Sequence, residues 1–132
     1  MIRGLLITVL ASMAPIQVTP GVEYLDILTR EYEEEPTVMR CTCYLPTGYR
    51  CYDGHPTVKG VISSNVEHVG QTAILYTLDN ELIGVFECHD IGGNVMLRNG
   101  TAIDVYRDTM TEALEWVAIY GDYVKVRWIS GE

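Results

Sequence analysis

The chain has few basic residues and no long apolar run. Among its 132 residues, lysine and arginine number 9 against 18 aspartates and glutamates, which gives a formal net charge of -9. A charge of this sign repels a phosphate backbone, so we do not expect nucleic acid as a partner. A membrane-spanning helix needs about 20 mostly apolar residues in succession, and the sequence has no such stretch. A stable transmembrane span is therefore not predicted.

The sequence also lacks any Cys-x-x-Cys pair of the kind that binds zinc. Its four cysteines are Cys41, Cys43, Cys51 and Cys88. In an exported protein they permit three fully paired disulfide connectivities, and reduced thiols are the alternative. Cys41 and Cys43 lie two apart on a predicted strand, about 6.6 Å between Cα atoms, so a disulfide is expected to join other pairs. A zinc cluster with His55 and His89, or a Cys/His nucleophile pair, is the competing interpretation.

The length and composition predict one folded domain preceded by a different kind of segment. Arg3, the apolar stretch after it and small residues up to position 14 have the layout of a signal peptide, or else form an N-terminal core element. Residues 22–35 show a weak helical pattern that ends in an acidic run, which we interpret as a linker. The predicted division is therefore residues 1–36 as signal-like or anchor segment and acidic linker, and residues 37–132 as the domain.

Alternating and β-branched patterns predict six strands in this domain. They cover residues 37–45, 61–64, 72–78, 82–88, 102–106 and 123–129, and the third and fourth should form a hairpin. Thr109 can cap a helix, with Glu112 completing a capping box and Gly121 ending it. Its predicted apolar stripe contains Ala113, Leu114, Val117 and Ala118. Many short strands with one helix before the last of them predict a mainly β fold, a small closed barrel.

Two aspartates stand in settings that suit chemistry. Asp90 follows an apolar strand and precedes Gly92 and Gly93, which let the backbone turn and a bulky ligand approach. Asp104 sits within an apolar strand between Ile103 and Val105, which should point into the core. Desolvation there would raise its pKa and keep a proton available, as a general acid requires. The alternatives are an Asp90 that only caps a turn and a structural Asp104 held by backbone donors.

Ordered motifs run through the second half of the chain. They are Asp90-Ile-Gly-Gly, Gly100-Thr-Ala-Ile-Asp104-Val-Tyr106, Ala113 and Gly121-Asp-Tyr-Val-Lys-Val. Over residues 40–128 the chain resembles the 3D domain, a family named for three aspartates. That domain is similar to the catalytic barrel of the membrane-bound lytic transglycosylase A type and of Gram-positive stationary-phase survival proteins. The resemblance implies a six-stranded double-psi β-barrel.

The resemblance also implies a function and a site. Asp104 matches the essential acid and base of the family, and Asp90 matches the second motif aspartate. The implied reaction is cleavage of the β-1,4 bond between N-acetylmuramic acid and N-acetylglucosamine in peptidoglycan, giving 1,6-anhydro ends without metal or organic cofactor. The implied location is secreted or cell-wall associated, in a bacterium or phage. Asn65 stands where the family has its first aspartate, Ile91 where threonine is frequent, and the interval from Asp90 to Asp104 is longer.

The expected substrate-binding residues are Asn65, Gly92, Gly93 and Tyr44. Tyr44, Tyr49, Tyr52 and Tyr76 offer rings on which sugars can stack, although tyrosines on strands also serve in packing. Two other functions compete with the transglycosylase. Asp90 could activate water in a hydrolase, and the missing first aspartate suits a glycan-binding or regulatory barrel without turnover. The oligomeric state is open, a domain-swapped dimer included.

Overall fold

A computed structural model describes residues 22–130 of the chain. The predicted signal-like segment up to position 14 lies outside these residues. Six strands follow one another: β1 Thr37–Tyr44, β2 Val61–Ser64, β3 Thr72–Tyr76, β4 Leu82–Ile91, β5 Ala102–Tyr106 and β6 Tyr123–Ile129. The helices are α1 Val22–Thr29, α2 Val95–Arg98 and α3 Met110–Tyr120, with a 3₁₀ turn at Val66–His68. The prediction of a mainly β fold with a helix before the last strand is confirmed.

The six strands close into a barrel in the order β1-β5-β2-β4-β3-β6. The pairs β1–β5 and β2–β4 are parallel, whereas β2–β5, β3–β4, β3–β6 and β1–β6 are antiparallel. The predicted closed barrel and the β3–β4 hairpin are therefore confirmed. β3 ends at Tyr76, two residues earlier than predicted, and Asn80 in the turn takes a left-handed φ of 71°. Closure leaves each strand paired on both sides, without a free sheet edge.

Alternation along the strands decides which side chains fill the barrel. Met39 and Cys41 of β1 and Ile103 and Val105 of β5 belong to one buried cluster. Phe86 is fully buried there and meets the ring of Trp116 edge-on, with centroids 5.9 Å apart. Ile103 and Val105 thus point into the core as predicted, and the other faces of β1 and β5 point away from it.

The interpretation of residues 22–35 as a linker is wrong for their first half. Residues 22–29 form α1, and its Ile27 and Leu28 are buried against Ile74, Leu82 and Val85 on the outer side of the β3–β4 hairpin. Two apolar side chains in adjacent positions dock this short helix, whereas Leu25 in the same helix is exposed. The folded unit therefore begins before residue 37.

Helix α3 begins as predicted but buries a different face. Thr109 accepts a hydrogen bond from the backbone N–H of Glu112, whose carboxylate accepts one from the N–H of Asp108. Gly121 ends the helix with a φ of 77°. Its buried residues are Ala113 and Trp116, whereas the predicted stripe members Leu114, Val117 and Ala118 are exposed. The large indole selected the buried face over the smaller aliphatic side chains.

All four cysteines are free thiols, which is the alternative to the three disulfide connectivities that the sequence permits. Cys41 and Cys88 belong to the interior of the barrel. Within residues 22–130, no helix combines the length and apolar character needed to cross a membrane.

Candidate active site

A row of polar side chains crosses four neighbouring strands on the outer face of the barrel. Thr42 of β1 pairs with Asp104 of β5, Asp104 pairs with Ser63 of β2, and Ser63 pairs with Asp90 of β4. Directly paired residues point to the same side of a sheet. Asp104 and Asp90 therefore flank the buried Ser63 from the two sides, with Cα atoms about 9.5 Å apart from two strand spacings.

Asp104 is half-buried and, within residues 22–130, accepts a single hydrogen bond through its side chain. The hydroxyl of Thr42 donates to its Oδ1 atom over 2.9 Å. Burial raises the pKa of Asp104 and the charge of Asp90 raises it further, while the Thr42 hydrogen bond acts in the opposite direction. The net effect is a pKa above the usual value, so this carboxyl group keeps its proton to higher pH than an exposed aspartate.

Asp90 has a contrasting environment rich in donors. Its Oδ1 accepts hydrogen bonds from the backbone N–H groups of Tyr52 and Ile91, each over 3.0 Å. Its Oδ2 accepts one from the hydroxyl of Tyr44 over 3.3 Å. The two aspartates are therefore held differently: among the described residues Asp90 accepts three hydrogen bonds, two of them from backbone N–H groups, and Asp104 accepts one from a side chain.

Tyr44 contacts both strands that carry the aspartates: it donates a hydrogen bond to Asp90 of β4 and packs on Tyr106 of β5. It lies on the same face of β1 as Thr42 and its ring meets Tyr106 of β5 edge-on at 5.5 Å. Burial and the neighbouring Asp90 raise the pKa of Tyr44, so its hydroxyl stays protonated and donates. The predicted substrate-binding Tyr44 is therefore placed beside Asp90, where it orients that carboxylate.

A β-bulge at His89 brings Asp90 to this face. Ile62 pairs with Cys88 but the next residue of β2, Ser63, pairs with Asp90, so one residue of β4 is left over. Regular alternation predicts that His89 and Asp90 point to opposite faces, and that expectation is wrong. His89 bonds Glu87 on the outer face, and Asp90 reaches Tyr44 on the same side. β4 also continues to Ile91, so Asp90 lies within the strand and not after it.

The two glycines after Asp90 have different surroundings. A Cβ on Gly92 would lie 2.0 Å from Cδ1 of Leu97, the buried residue of α2, so a larger residue fits this turn only if the Leu97 side chain shifts. A Cβ on Gly93 would meet nothing within 4 Å. The carbonyl of Gly93 accepts two hydrogen bonds from the guanidinium of Arg98, over 3.1 and 2.7 Å. Gly92 therefore serves packing, and Gly93 lies exposed at the edge of the site.

Asn65 directly follows β2, two residues beyond Ser63. Its side chain lies against Gly100, where a Cβ would come within 3.0 Å of its Nδ2 atom. Its Oδ1 is buried without a hydrogen-bond partner among the described residues. None of the contacts in this part of the chain joins Asn65 to Asp90 or Asp104, so the structure does not group it with them.

A surface cavity of about 370 Å³ opens next to this row, beneath the loop of residues 46–60. Its wall includes Tyr106, two residues from Asp104 on the same strand, and Tyr49, whose side chain is 81% exposed. Neither aspartate lines it. The same loop, which joins β1 to β2, donates the Tyr52 N–H to Asp90, so it contacts the carboxylate row and also lines the cavity.

Sequence reasoning missed Thr42 and Ser63. Alternation puts Thr42 on the face of β1 opposite Cys41 but does not show which face is the outer one, and its pairing with Asp104 joins residues 62 positions apart. Ser63 had no distinguishing pattern. The thiols, by contrast, are unsuited to nucleophilic attack, because burial raises the pKa of Cys41 and of Cys88 to about 12 and that of Cys43 to about 11.

Neither a known family model nor any curated protein sequence matches this chain.

Proposed function

We propose that this protein is a lytic transglycosylase that cleaves peptidoglycan glycan strands between N-acetylmuramic acid and N-acetylglucosamine. The observation that carries the proposal is the half-buried Asp104, with its raised pKa, on one outer face with the donor-rich Asp90. The motif resemblance to the 3D domain supplies the substrate class. The assignment of that family, and of the double-psi form of the barrel, is part of the proposal.

One carboxyl group can perform both proton transfers of this reaction. Protonated Asp104 donates its proton to the glycosidic oxygen, the bond from that oxygen to C1 of the muramic acid breaks, and N-acetylglucosamine leaves as the alcohol. The C6 hydroxyl of the same muramic acid then attacks C1 and gives its proton to the Asp104 carboxylate. The enzyme ends as it began, and the product carries a 1,6-anhydro ring. An internal nucleophile replaces water and needs no second base.

Asp90 would act on charge and position in this scheme. Its negative charge helps to keep Asp104 protonated and can stabilise the positive charge that develops at C1. Tyr44 and the Tyr52 N–H hold its carboxylate in place. The exposed ring of Tyr49 offers a stacking surface for a sugar in the adjacent cavity. A substrate in the cell wall implies a protein that is secreted or wall-associated.

The experiment is digestion of purified peptidoglycan by the full chain, followed by mass spectrometry of the released muropeptides. We expect 1,6-anhydro-muropeptides from the wild type and at least a 100-fold lower rate from Asp104→Asn, the range that a general acid contributes. Asp79→Asn makes the same chemical change in the exposed β3–β4 turn and should release products at the wild-type rate. Equal rates for both variants would refute the role of Asp104.

Two other functions have specific support and give different products. Reducing ends in place of anhydro ends would identify a hydrolase, with Asp90 activating water. Sedimentation with peptidoglycan without release of fragments would identify a binding module. Asn65 favours this function, because its amide cannot carry the negative charge of the first aspartate in the 3D domain.

A further inference from the structure

Two histidines and two acidic residues gather where the loop of residues 46–60 meets β4. The imidazole rings of His55 and His89 stack with centroids 3.8 Å apart. His89 contacts Asp53 through Nδ1 at 2.6 Å and Glu87 through Nε2 at 2.9 Å. One ligand atom from each of His55, Glu87 and His89 lies within 4.8 Å of the other two. This cluster lies outside the aspartate row and takes no part in the proposed reaction.

Both rings have their Nδ1 atom committed to an acceptor. Nδ1 of His55 lies 2.7 Å from the carbonyl oxygen of Pro56, which can only accept, so this nitrogen carries the proton. Nδ1 of His89 faces the carboxylate of Asp53 in the same way. Metal-bound histidines nearly always donate the second ring N–H to a carboxylate or a backbone carbonyl, which orients the ring and raises its basicity. His55 and His89 both have this arrangement.

The opposite nitrogens are therefore the ones that remain for a ligand. Among the described residues, Nε2 of His55 has no hydrogen-bond partner. Nε2 of His89 faces Glu87, and a neutral ring there would aim a lone pair at a carboxylate oxygen 2.9 Å away. The two lone pairs would repel unless a positive charge lay between them. A proton on Nε2 supplies that charge when the ring is protonated and donates to both carboxylates, and a metal cation can take the place of this proton. A metal cation meets this requirement and at the same time can engage His55.

We propose that His55, Glu87 and His89 form a binding site for a divalent cation of the zinc class, with Asp53 and the Pro56 carbonyl orienting the two imidazoles. Two imidazoles and one carboxylate suit Zn²⁺ and its transition-metal neighbours better than Mg²⁺ or Ca²⁺, which prefer oxygen ligands. The sequence analysis considered His55 and His89 only as partners of the cysteines in a zinc cluster and missed Glu87, because carboxylate and imidazole ligands from a strand and a loop have no fixed spacing.

Coordination requires small movements of the side chains. In a tetrahedral zinc site, neighbouring nitrogen and oxygen ligands lie about 3.3 Å apart, from metal–ligand distances of about 2.0–2.1 Å. The 2.9 Å pair of His89 and Glu87 would open slightly, and His55 would tilt out of the stack so that its Nε2 turns toward the ion. Side-chain rotation alone can bring this about. The ion would then join the loop to β4, one residue from Asp90.

The test is titration of the full chain, freed of metal by a chelator, with Zn²⁺ in a calorimeter. We expect one ion per chain, bound at micromolar concentration or tighter, and a weakening of at least 10-fold in His55→Gln, Glu87→Gln and His89→Gln. His68, the remaining histidine of the sequence, stacks on Trp128 away from the cluster, so His68→Gln is the matched control and should bind like the wild type.

Cobalt distinguishes these ligands from the cysteines. Co²⁺ bound by imidazole and carboxylate shows only weak visible bands, whereas a thiolate ligand adds an intense near-ultraviolet band. The proposal is overturned by the absence of saturable Zn²⁺ binding below about 100 μM, by a thiolate band, or by equal weakening in His68→Gln. Because binding is measured without peptidoglycan, the result stands apart from the proposed transglycosylase activity.

Discussion

At the scale of single residues, the contrast between Asp104 and Asp90 comes from their donors. Among the described residues Asp90 accepts three hydrogen bonds, two of them from the backbone N–H groups of Tyr52 and Ile91. Asp104 accepts one from Thr42 and is half-buried, so its negative charge is poorly compensated. A residue whose charged form is destabilised by the fold is typical of sites where chemistry, and not stability, selected the side chain.

Replacement of Asp104 by asparagine should therefore stabilise the protein at neutral pH. The amide carries no charge to desolvate, and its oxygen can still accept from Thr42. Because the folded-state pKa is raised, proton binding by Asp104 stabilises the fold fully below the unfolded pKa of about 3.9 and less as pH rises through the folded pKa. We expect Tm to rise by a few degrees in Asp104→Asn at pH 7–8, and the difference to vanish near pH 3.

Thermal melts of both proteins between pH 3 and pH 8 measure this effect. Asp79→Asn, in the exposed β3–β4 turn, controls for the loss of one negative charge from an acidic protein. A lower Tm for Asp104→Asn at pH 7 would mean that the carboxylate stabilises the fold, contrary to its raised pKa.

At the scale of elements, the turn from β4 into α2 depends on Gly92, against whose backbone the side chain of Leu97 packs. Leu97 of α2 occupies the space where a Cβ of residue 92 would lie. We expect Gly92→Ala to destabilise the protein by about 1–3 kcal/mol, the usual cost of overpacking. Gly93→Ala, whose Cβ would meet nothing within 4 Å, is the matched control.

Urea unfolding of the two glycine variants checks this prediction. A second change, Leu97→Val in the Gly92→Ala background, should recover part of the loss because it frees space beside the new methyl group. Equal stability of Gly92→Ala and Gly93→Ala would show that the turn relaxes without cost.

Helix α1 provides the other prediction at this scale. Its packing against the β3–β4 hairpin implies that it stabilises the fold, which a linker would not do. Leu28 is 6% exposed and packs against the hairpin, whereas Leu25 in the same helix is 43% exposed. Leu28→Ala should lower the free energy of unfolding by about 2–4 kcal/mol and Leu25→Ala by much less. Chemical denaturation of the pair measures this, and equal effects would restore the interpretation of this segment as a linker.

At the scale of the whole molecule, we expect reagents to reach the interior of the closed barrel only when the whole barrel opens. Cys41 of β1 and Cys88 of β4 lie in the same buried cluster although the two strands are not neighbours in the barrel. We expect both thiols to resist alkylation in the native protein and to be labelled at one common rate, because exposure of either requires the barrel to open.

Pulsed alkylation followed by peptide mass spectrometry, across a series of urea concentrations, gives the two rates. Cys43, which is only partly buried, serves as the internal comparison and should react faster. Labelling of Cys88 well ahead of Cys41 in dilute urea would reveal independent opening of β4.

The barrel class and most strand positions were predictable because alternation and turn residues are local signals. The inward face of β5 and the cap at Thr109 followed from spacing alone. The buried face of α3 and the docking of α1 were mispredicted, since each depends on which large side chain finds room in a distant part of the fold. The roles assigned to Asp104 and Asp90 stay predictions.

The sequence by itself determined an acidic chain of short alternating strands with one capped helix, and it marked two aspartates in apolar surroundings. Tertiary structure alone decided that Thr42, Asp104, Ser63 and Asp90 form one row, and that a bulge at His89 turns Asp90 and the histidine toward the same side. The physical reason is that strand pairing and bulges arise from hydrogen bonds between residues far apart in the chain, which no local pattern of side chains encodes.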